Sequence, residues 1–236
     1  MLKLPDGITA CLFDLDGVIT QTAKLHSAAW KQMFDEFLKE RAERTGDPFE
    51  PFDARDYDRY VDGRPRIDGV RTFLDARGIE HDDRLDRELG DRKNELVLHL
   101  IRERGVEVYE SSIAFVEQAR DRGLRRAVVS SSANTREVLK SVGIEELFEA
   151  VVDGVVANRE GLAGKPAPDT FLAGARELGA EPAQAAVFED ALAGVEAGRA
   201  GDFGWVVGVD RTGQADALAE HGADVVVSDL GELMDE

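Results

Sequence analysis

The chain has 236 residues, of which 43% are hydrophobic and 33% are charged, and its formal net charge is -19. This composition is sufficient for a folded core and excludes a disordered, collagen-like or coiled-coil protein. So acidic a chain has no broad attraction to nucleic acid or to an anionic membrane, and no apolar run approaches the roughly 18 residues that span a bilayer. We therefore expect a cytoplasmic monomer that binds neither nucleic acid nor membrane.

The first predicted element is a buried strand in the apolar run from Ile8 to Phe13, directly before Asp14. This run contains Cys11, the only cysteine of the chain, which we interpret as a buried structural thiol. A single cysteine excludes a disulfide framework and a Cys-rich zinc site.

The next segment, residues 20–104, contains no convincing strand and is far longer than the roughly 2 to 6 residues of an ordinary loop in an α/β fold. Its apolar residues follow helical spacing in three groups. These groups are Trp30, Met33, Phe34, Phe37 and Leu38; Ile67, Val70, Phe73 and Leu74; and Leu85, Leu89, Leu96 and Leu100. We predict a helical domain inserted at 20–104, with an irregular connection from Gly46 to Tyr60, while 1–19 and 105–236 form the other domain.

Four more short apolar runs are predicted as buried strands, and helical patterns lie between them. The runs are Ala127 to Val129, Ala185 to Phe188, Trp205 to Val209, and Val225 to Val227. Strands that alternate with helices favour a parallel sheet covered on both faces. The predicted fold class is therefore α/β, a Rossmann-like parallel sheet core with an inserted helical cap domain.

Each predicted strand runs directly into small polar or acidic residues. They are Asp14, then Ser130, then Glu189 with Asp190, then Asp210, and finally Ser228 with Asp229. In an open α/β sheet, ligands bind outside the carboxyl ends of the strands, so these side chains are candidates for one shared site. We interpret Asp210 and Asp229 as helix caps or turn residues.

The segment from Asp14 to Gly17 places two carboxylates in a sharp turn after a strand. A carboxylate there can attack phosphorus or bind a hard cation. Together with Glu189 and Asp190 the site would hold four carboxylates, which raise one another's pKa unless positive charge is present. A divalent cation, with Mg²⁺ as the first candidate, is the simplest source of that charge.

Two other segments can bind an anion. Lys165 lies between Gly164 and a proline-rich stretch, where it either neutralises a phosphate oxygen or is an exposed lysine in a turn. The run from Ser130 to Asn134 offers hydroxyls and N–H groups at a strand-to-helix turn, as an anion cradle or only as a helix cap. The sequence lacks the Walker P-loop, the G-x-S-x-G elbow and the H-E-x-x-H pair.

Four segments in this order closely resemble the motifs of the haloacid dehalogenase superfamily of phosphatases and phosphomutases. They are Asp14-Leu15-Asp16-Gly17-Val18-Ile19-Thr20, Val129-Ser130-Ser131-Ser132, Lys165-Pro166-Ala167-Pro168-Asp169 and Phe188-Glu189-Asp190-Ala191. The resemblance implies that Asp14 is the nucleophile that becomes an aspartyl phosphate, and that Asp16 is the general acid and base. It further implies that Ser130 and Lys165 hold the transferring phosphoryl group. The implied Mg²⁺ site consists of Asp14, Asp16, Glu189 and Asp190. Asp16 contributes its backbone carbonyl to this site in addition to its role as acid and base.

Within the superfamily the sequence is most similar to the β-phosphoglucomutase family, whose members act on a small phosphorylated sugar. The substrate-binding residues implied by that likeness are Thr22, His26, Gly63, Arg66, Lys93, Ser131 and Asn134. His26 lies four residues before Trp30, so packing against that ring is an equal alternative to substrate binding. The sequence departs from the family pattern at Asp62, where characterised mutases have Lys, and at Ala133, which replaces a basic residue.

Three functions stay open at this point. The resemblance favours a mutase that interconverts β-glucose 1-phosphate and glucose 6-phosphate. The departures at Asp62 and Ala133 bear on sugar specificity and keep open a sugar-phosphate or phosphoglycolate-type phosphatase. The third alternative is a catalytically idle module that binds phosphosugars or a partner, against which the presence of all four motifs argues.

Overall fold

The computed structural model describes residues 2–235 and divides the chain into two compact units. The first, the α/β unit, contains the residues up to Gln21 and those from Val106 onward. The second, the helical unit, comprises Thr22–Gly105. The insertion expected at residues 20–104 differs from the helical unit by two residues at its start and by one at its end.

Six strands form the sheet of the α/β unit. They are β1 (Ala10–Phe13), β2 (Arg125–Val129), β3 (Ala150–Val152), β4 (Ala185–Glu189), β5 (Trp205–Val209) and β6 (Val225–Val227). All pairs are parallel, in the order β3-β2-β1-β4-β5-β6. In β1, Phe13 pairs with Val128 on one side and with Phe188 on the other. The predicted α/β class with a parallel sheet is confirmed, and the carboxyl ends of β1, β2 and β4 meet at one edge.

Strand β3 is the element that the sequence analysis missed. It has only three residues, lies at the edge of the sheet and pairs only with β2. Its three residues are apolar, but two of them are only partly buried. The side chain of Arg136 donates to the carbonyl of Val151, which occupies part of this edge. Such a cap on a short edge strand disfavours pairing with another chain.

Helices cover the sheet of the α/β unit. They are α5 (Glu110–Asp121), α6 (Thr135–Ser141), α7 (Gly154–Glu160), α8 (Asp169–Glu177), α9 (Leu192–Ala200) and α10 (Ala215–Glu220), with short 3₁₀ turns at Glu145–Leu147, Pro182–Gln184 and Leu230–Leu233. Helix α8 packs closely on the sheet through Gly174, where a Cβ atom would lie 2.7 Å from Leu12 and 2.8 Å from Val129. The sole cysteine, Cys11, is buried as expected, and burial raises the pKa of its thiol to about 12.

The helical unit contains α1 (Ala23–Thr45), α2 (Ala54–Asp56) with a π-helical turn at Tyr57–Val61, α3 (Arg66–Ala76) and α4 (Asp83–Arg104). Its core is aromatic: the Phe34 ring lies 4.1 Å from that of Phe73 and 5.3 Å from that of Trp30, measured between centroids. The prediction of an irregular segment up to Tyr60 is wrong at its end. Asp53 accepts from the Asp56 N–H and the Asp56 side chain accepts from the Asp53 N–H, and this capping box starts a helix there. Among residues 2–235, no helix is both long and apolar enough to cross a membrane.

Candidate active site

The turn after β1 is closed by its own backbone. The Asp14 N–H donates to the Phe188 carbonyl on β4 at 2.9 Å, so Asp14 still belongs to the sheet. Gly17 has a φ of +88° and its N–H donates to Thr20 O at 2.7 Å. A left-handed conformation of this kind favours glycine. The turn therefore ends the strand abruptly and leaves the Asp14 carboxylate at the edge of the sheet, 6% exposed.

Lys165 joins two of the motifs through its ammonium group. Its Nζ lies 2.5 Å from Asp14 Oδ1, 2.7 Å from Glu189 Oε1 and 3.1 Å from the carbonyl of Val129. An ammonium group has three hydrogens, and here each has an acceptor. Lys165 is 2% exposed, which excludes the alternative of a solvent-exposed turn lysine. Burial opposes its charge, but Asp14 and Glu189 outweigh burial and raise the pKa of Lys165, so it is a cation.

Glu189 uses both of its carboxylate oxygens inside the protein. Oε1 faces Lys165, and Oε2 accepts from the Ala191 N–H at 2.7 Å. Burial raises the pKa of Glu189 to about 7, while Lys165 opposes that rise. Gly194 makes room for this carboxylate, because a Cβ there would lie 1.8 Å from Oε1. The sequence analysis missed Gly194, although a glycine inside a helix costs about 1 kcal/mol and therefore often indicates a steric need.

Asp190 lies against the turn that follows Asp14. A Cβ atom on Gly17 would lie 1.7 Å from Asp190 Oδ2, so this carboxylate occupies the space that a side chain at Gly17 would take. Asp190 is 7% exposed, and its backbone carbonyl accepts from the side chain of Gln214 at 3.0 Å. The carboxylates of Asp14 and Asp190 therefore flank the same short turn.

The charge of Asp14 is set by opposing influences. Burial raises its pKa most strongly, Lys165 lowers it, and the charge of Asp16 raises it again. The backbone N–H of Asp16 also donates to the Asp14 carboxylate, which favours the ionised form. A buried carboxylate with a cation and an N–H donor on it has the electron pair that nucleophilic attack requires.

The donors at this edge fit Mg²⁺. Among residues 2–235, no three or more His, Cys, Asp or Glu side chains form a group that could hold a metal. Mg²⁺ does not need such a group, because it usually binds one or two carboxylates, keeps several waters and takes only oxygen ligands. Asp190 supplies a carboxylate against Gly17, and Asp14 supplies another at the start of the same turn. Lys165 lies between two of the four expected carboxylates, those of Asp14 and Glu189.

The segment after β2 forms a chain of short hydrogen bonds at the same sheet edge. The Ser132 N–H donates to Ser130 Oγ at 3.1 Å, and the Asn134 N–H donates to Ser132 Oγ at 3.2 Å. Ser130 is buried, and its N–H donates to the Val152 carbonyl of β3. Gly154 lets the backbone of Ser131 approach, because a Cβ there would lie 2.8 Å from the Ser131 carbonyl. The serine run is thus a closely packed turn beside Asp14, with α6 starting after Asn134.

In the helical unit, His26 and Lys93 form a buried pair. Lys93 Nζ lies 3.0 Å from His26 Nδ1 and 4.9 Å from the centroid of the Trp30 ring. Burial and the nearby Lys93 charge lower the pKa of His26 well below its usual value, so the imidazole is neutral and accepts the hydrogen bond. Lys93 lies over the Trp30 ring and contacts His26, so the three side chains form one group. Thr22 is buried at the start of α1, and its carbonyl accepts from the His26 N–H at 3.0 Å.

Arg66 is the first residue of α3, three residues after Gly63, whose φ is +68°. Its Nη2 lies 3.3 Å from Asp91 Oδ1, and the Asp91 side chain is 72% exposed. Among the described residues, its buried Nε has no hydrogen-bond acceptor. The guanidinium is therefore only partly used by the protein.

The chain is similar to proteins of known family over almost its whole length. The profile of the haloacid dehalogenase-like hydrolases matches residues 8–202. A β-phosphoglucomutase of Mycobacterium tuberculosis is 54% identical over 247 aligned positions, which cover 99% of this chain and 94% of the relative. The β-phosphoglucomutase of Bacillus subtilis is 33% identical, with 95% of this chain and 91% of the relative covered. The crystal structure of a β-phosphoglucomutase from Clostridium difficile shares the fold, with a TM-score of 0.78 at 24% identity, covering 96% of this chain and 93% of that one.

Proposed function

The chain belongs to the haloacid dehalogenase-like hydrolase family, and from this premise we propose that it is a mutase interconverting β-glucose 1-phosphate and glucose 6-phosphate. Enzymes of this type are phosphomutases or phosphatases, and the observation that carries the choice of mutase is the 54% identity, over 99% of this chain, to proteins named β-phosphoglucomutase. The geometry of the α/β unit supports the chemistry, residue by residue, as follows.

Asp14 is the proposed nucleophile. Burial raises the pKa of its carboxyl, whereas Lys165 at 2.5 Å and the Asp16 N–H favour the ionised form that attacks phosphorus. The carboxylate oxygen attacks the phosphorus of a sugar phosphate, the bond from phosphorus to the sugar oxygen breaks, and Asp14 becomes an aspartyl phosphate. Lys165 uses its three hydrogens within the protein, so we assign it the task of holding Asp14 and Glu189 in place and charged.

Asp16 is the proposed general acid and base. As the aspartyl phosphate meets β-glucose 1-phosphate, Asp16 takes the proton of the C6 hydroxyl, whose oxygen forms the new bond to phosphorus while the bond to Asp14 breaks. The product of this step is a bisphosphate. Asp14 then attacks the C1 phosphate, and Asp16 returns its proton to the C1 oxygen as glucose 6-phosphate leaves. At the end of the cycle Asp14 again carries the phosphoryl group, and Asp16 has given up the proton that it took.

The phosphoryl group needs donors as well as a nucleophile. Ser130 Oγ accepts from the Ser132 N–H, which leaves the hydroxyl hydrogen to be donated to a phosphoryl oxygen. We propose that Ser131 and Asn134, in the same turn, bind the sugar phosphate. Positioning and charge stabilisation of this kind supply most of the rate enhancement in phosphoryl transfer.

We propose that Asp14, Asp190 and the Asp16 carbonyl hold Mg²⁺, with Glu189 acting on it only through water, because both of its oxygens already have protein partners. When bound, Mg²⁺ neutralises charge on the phosphoryl oxygens. EDTA should abolish turnover and added Mg²⁺ should restore it, while Ca²⁺, with its larger and less regular coordination, should inhibit. Full turnover in EDTA would exclude this assignment.

Recognition of the sugar phosphate is assigned to residues of the helical unit on the strength of the family likeness. Arg66 is the main candidate, since its buried Nε has no acceptor among the described residues and its Nη2 pairs with the exposed carboxylate of Asp91. A guanidinium can bind the phosphate that is not reacting through two parallel hydrogen bonds. Lys93, His26, Thr22 and Gly63 complete the proposed set.

A ³¹P NMR time course separates the mutase from the phosphatase. With β-glucose 1-phosphate, Mg²⁺ and a trace of sugar bisphosphate, we expect glucose 6-phosphate to form much faster than inorganic phosphate. Inorganic phosphate appearing as fast as substrate disappears would establish the phosphatase instead. No turnover of any phosphate ester would leave only the idle binding module.

Arg66→Ala tests the specificity assignment in the same assay. It should lower the mutase rate at least about 10²-fold, because a lost bidentate charged contact costs about 3 kcal/mol. Hydrolysis of acetyl phosphate, which has no second phosphate, should change far less. Arg41→Ala is the matched control, since Arg41 belongs to the same unit, is 29% exposed against 30% for Arg66, and pairs with the exposed Asp47.

A further inference from the structure

Arg211, which belongs to none of the four motifs, donates a hydrogen bond to the turn that carries Asp14 and Asp16. It follows β5, and its Nε donates to the carbonyl of Gly17 at 2.8 Å. Its Nη1 donates to the carbonyl of Ser228 at 2.7 Å, and its guanidinium lies 3.6 Å from the centroid of the Tyr109 ring. The side chain is only 13% exposed. Arg211 is therefore held from three sides, as a residue with a positional task should be.

The residue that Arg211 holds is the most flexible one in the turn. Gly17 directly follows Asp16 and has the left-handed φ of +88°. Glycine adopts many backbone conformations, so its own preference does not fix the peptide that follows it. Asp190 lies against the Cα of Gly17, and Arg211 holds its carbonyl. Gly17 is thus held by its own hydrogen bond to Thr20 within the turn and by these two residues from outside the turn.

Tyr109, on which Arg211 stacks, holds the other end of the same turn. The Tyr109 N–H donates to the Ile19 carbonyl at 2.9 Å. Thr20 forms an isolated antiparallel bridge with Val108. Arg211 and Tyr109 therefore donate hydrogen bonds to the backbone carbonyls of Gly17 and Ile19. These two bonds restrict the backbone conformation between Asp16 and Thr20.

We propose that Arg211 is a positioning residue that holds the Gly17 carbonyl and thereby orients Asp16 for proton transfer. The catalytic part rests on the proposed function, in which Asp16 is the acid and base. A displaced Asp16 impairs the step that needs a proton and spares the step that does not. A general loss of folding would impair both.

The first test compares two phosphate donors in single turnovers of the full chain with Mg²⁺. Phosphoenzyme formation from glucose 1,6-bisphosphate needs an acid for the sugar oxygen, whereas acetyl phosphate has a good leaving group and does not. In Arg211→Ala the first rate should fall about 10- to 100-fold, as expected for a catalytic group displaced by about 1 Å, and the second less than about threefold. Acid-quenched samples and intact-protein mass spectrometry give both rates.

Three variants make this test specific. Arg199→Ala is the matched control, because Arg199 of the same unit also donates to a glycine carbonyl, that of Gly222. It should leave both rates unchanged. Arg211→Lys keeps one donor and should recover part of the loss. In the Asp16→Asn background Arg211→Ala should cost nothing more, because residues that act as one unit are not additive. Equal slowing with both donors, or full additivity with Asp16→Asn, would overturn the proposal.

Hydrogen exchange tests the positioning without any reference to activity. The N–H groups of Gly17, Ile19 and Thr20 donate within the turn, and in Arg211→Ala they should exchange at least about tenfold faster, as for a segment that opens locally. Arg199→Ala should not change them. Unchanged exchange in Arg211→Ala would overturn the proposal even if the enzyme is a mutase. Faster exchange in a chain that transfers no phosphoryl group would overturn the function and support the positioning.

Discussion

Each unit of the molecule buries a carboxylate that contacts charged partners. In one unit a single cation is shared by two buried carboxylates, and in the other a single buried carboxylate is shared by two basic side chains. In the α/β unit one ammonium, that of Lys165, is shared by Asp14 and Glu189. In the helical unit one carboxylate, that of Asp86, is shared by Arg71 and His81, each at 2.7 Å. Asp86 is as buried as the two site carboxylates, at 1% exposed.

The difference indicates what each cluster does. The cluster at Asp86 has further carboxylates, Asp75 and Asp83, whose side chains are 75% and 77% exposed, so these charges are solvated. The cluster at Lys165 has two carboxylates on one cation and Asp190 close by, with almost no access to water. An excess of buried negative charge is costly unless a ligand supplies positive charge. We therefore interpret the first cluster as structural and the second as the candidate active site.

The largest difference in activity is expected from replacing the Asp14 carboxylate of the candidate site. Asp14→Asn should lower phosphoryl transfer by more than about 10³-fold, because an amide can neither attack phosphorus nor bind Mg²⁺ well. The fold should persist, since an amide of the same shape still accepts from Lys165. Steady-state rates and circular dichroism check both parts. A variant that keeps more than about a tenth of the activity would rule out Asp14 as the nucleophile.

Removing the shared cation should produce the largest loss of stability. Lys165→Met leaves Asp14 and Glu189 buried without their cation, and breaking a buried pair in this way costs about 3 to 5 kcal/mol of the free energy of unfolding. Urea titration at pH 7 measures this. The double variant with Glu189→Gln should recover part of the loss, because one of the two buried carboxyl groups left without a cation is gone. If the double variant is no more stable than Lys165→Met, the charge argument fails and packing explains the loss.

The corresponding change in the helical unit should affect stability without affecting chemistry. Asp86→Asn should cost about 1 to 3 kcal/mol, since Arg71 and His81 lose a charged acceptor. The rate of transfer per folded molecule should remain at the wild-type value. Asp83→Asn is the control: this carboxylate is 77% exposed, and its removal should change neither quantity measurably. A rate loss in Asp86→Asn that exceeds the loss of folded protein would mean that this cluster is not merely structural.

The smallest effect concerns the pH dependence of the helical cluster. Hydrogen bonds to Asp75 and Asp86 raise the pKa of His81 above its usual value of about 6.5, although burial opposes the rise. A raised pKa means that the folded state binds the proton more tightly, so the stabilisation is complete below about pH 6.5 and is lost as pH rises through the folded pKa. His81→Gln should therefore cost about 1 kcal/mol at pH 6 and less at pH 9, in urea titrations at both values. His99→Gln, at a ring that is 64% exposed, is the control in the same titrations.

The sequence predicted the sheet where local pattern and burial agree. Strands β1, β2, β4 and β5 were recognisable, because a strand buried on both faces contains an apolar run, and the edge strand β6 was recognisable because its three residues are all valine. Strand β3 was not recognised, because a three-residue edge strand with two partly buried residues depends on its pairing with β2. The helix missed at Ala54–Asp56 has only three residues and begins at the reciprocal cap between Asp53 and Asp56.

For the candidate site, the sequence by itself determined which side chains reach the carboxyl edge of the sheet. Parallel strands all end on one side, so Asp14, Ser130 and Glu189 had to converge once the strands were known. Only the tertiary structure decided how their charges are satisfied: Lys165 arrives from 151 residues away to meet Asp14, and Arg211 from 194 away to hold Gly17. Electrostatic pairing and desolvation depend on distances of a few ångströms between remote segments. No local pattern in the chain predicts those distances, whereas the apolar residues of each run predict a buried strand without reference to other segments.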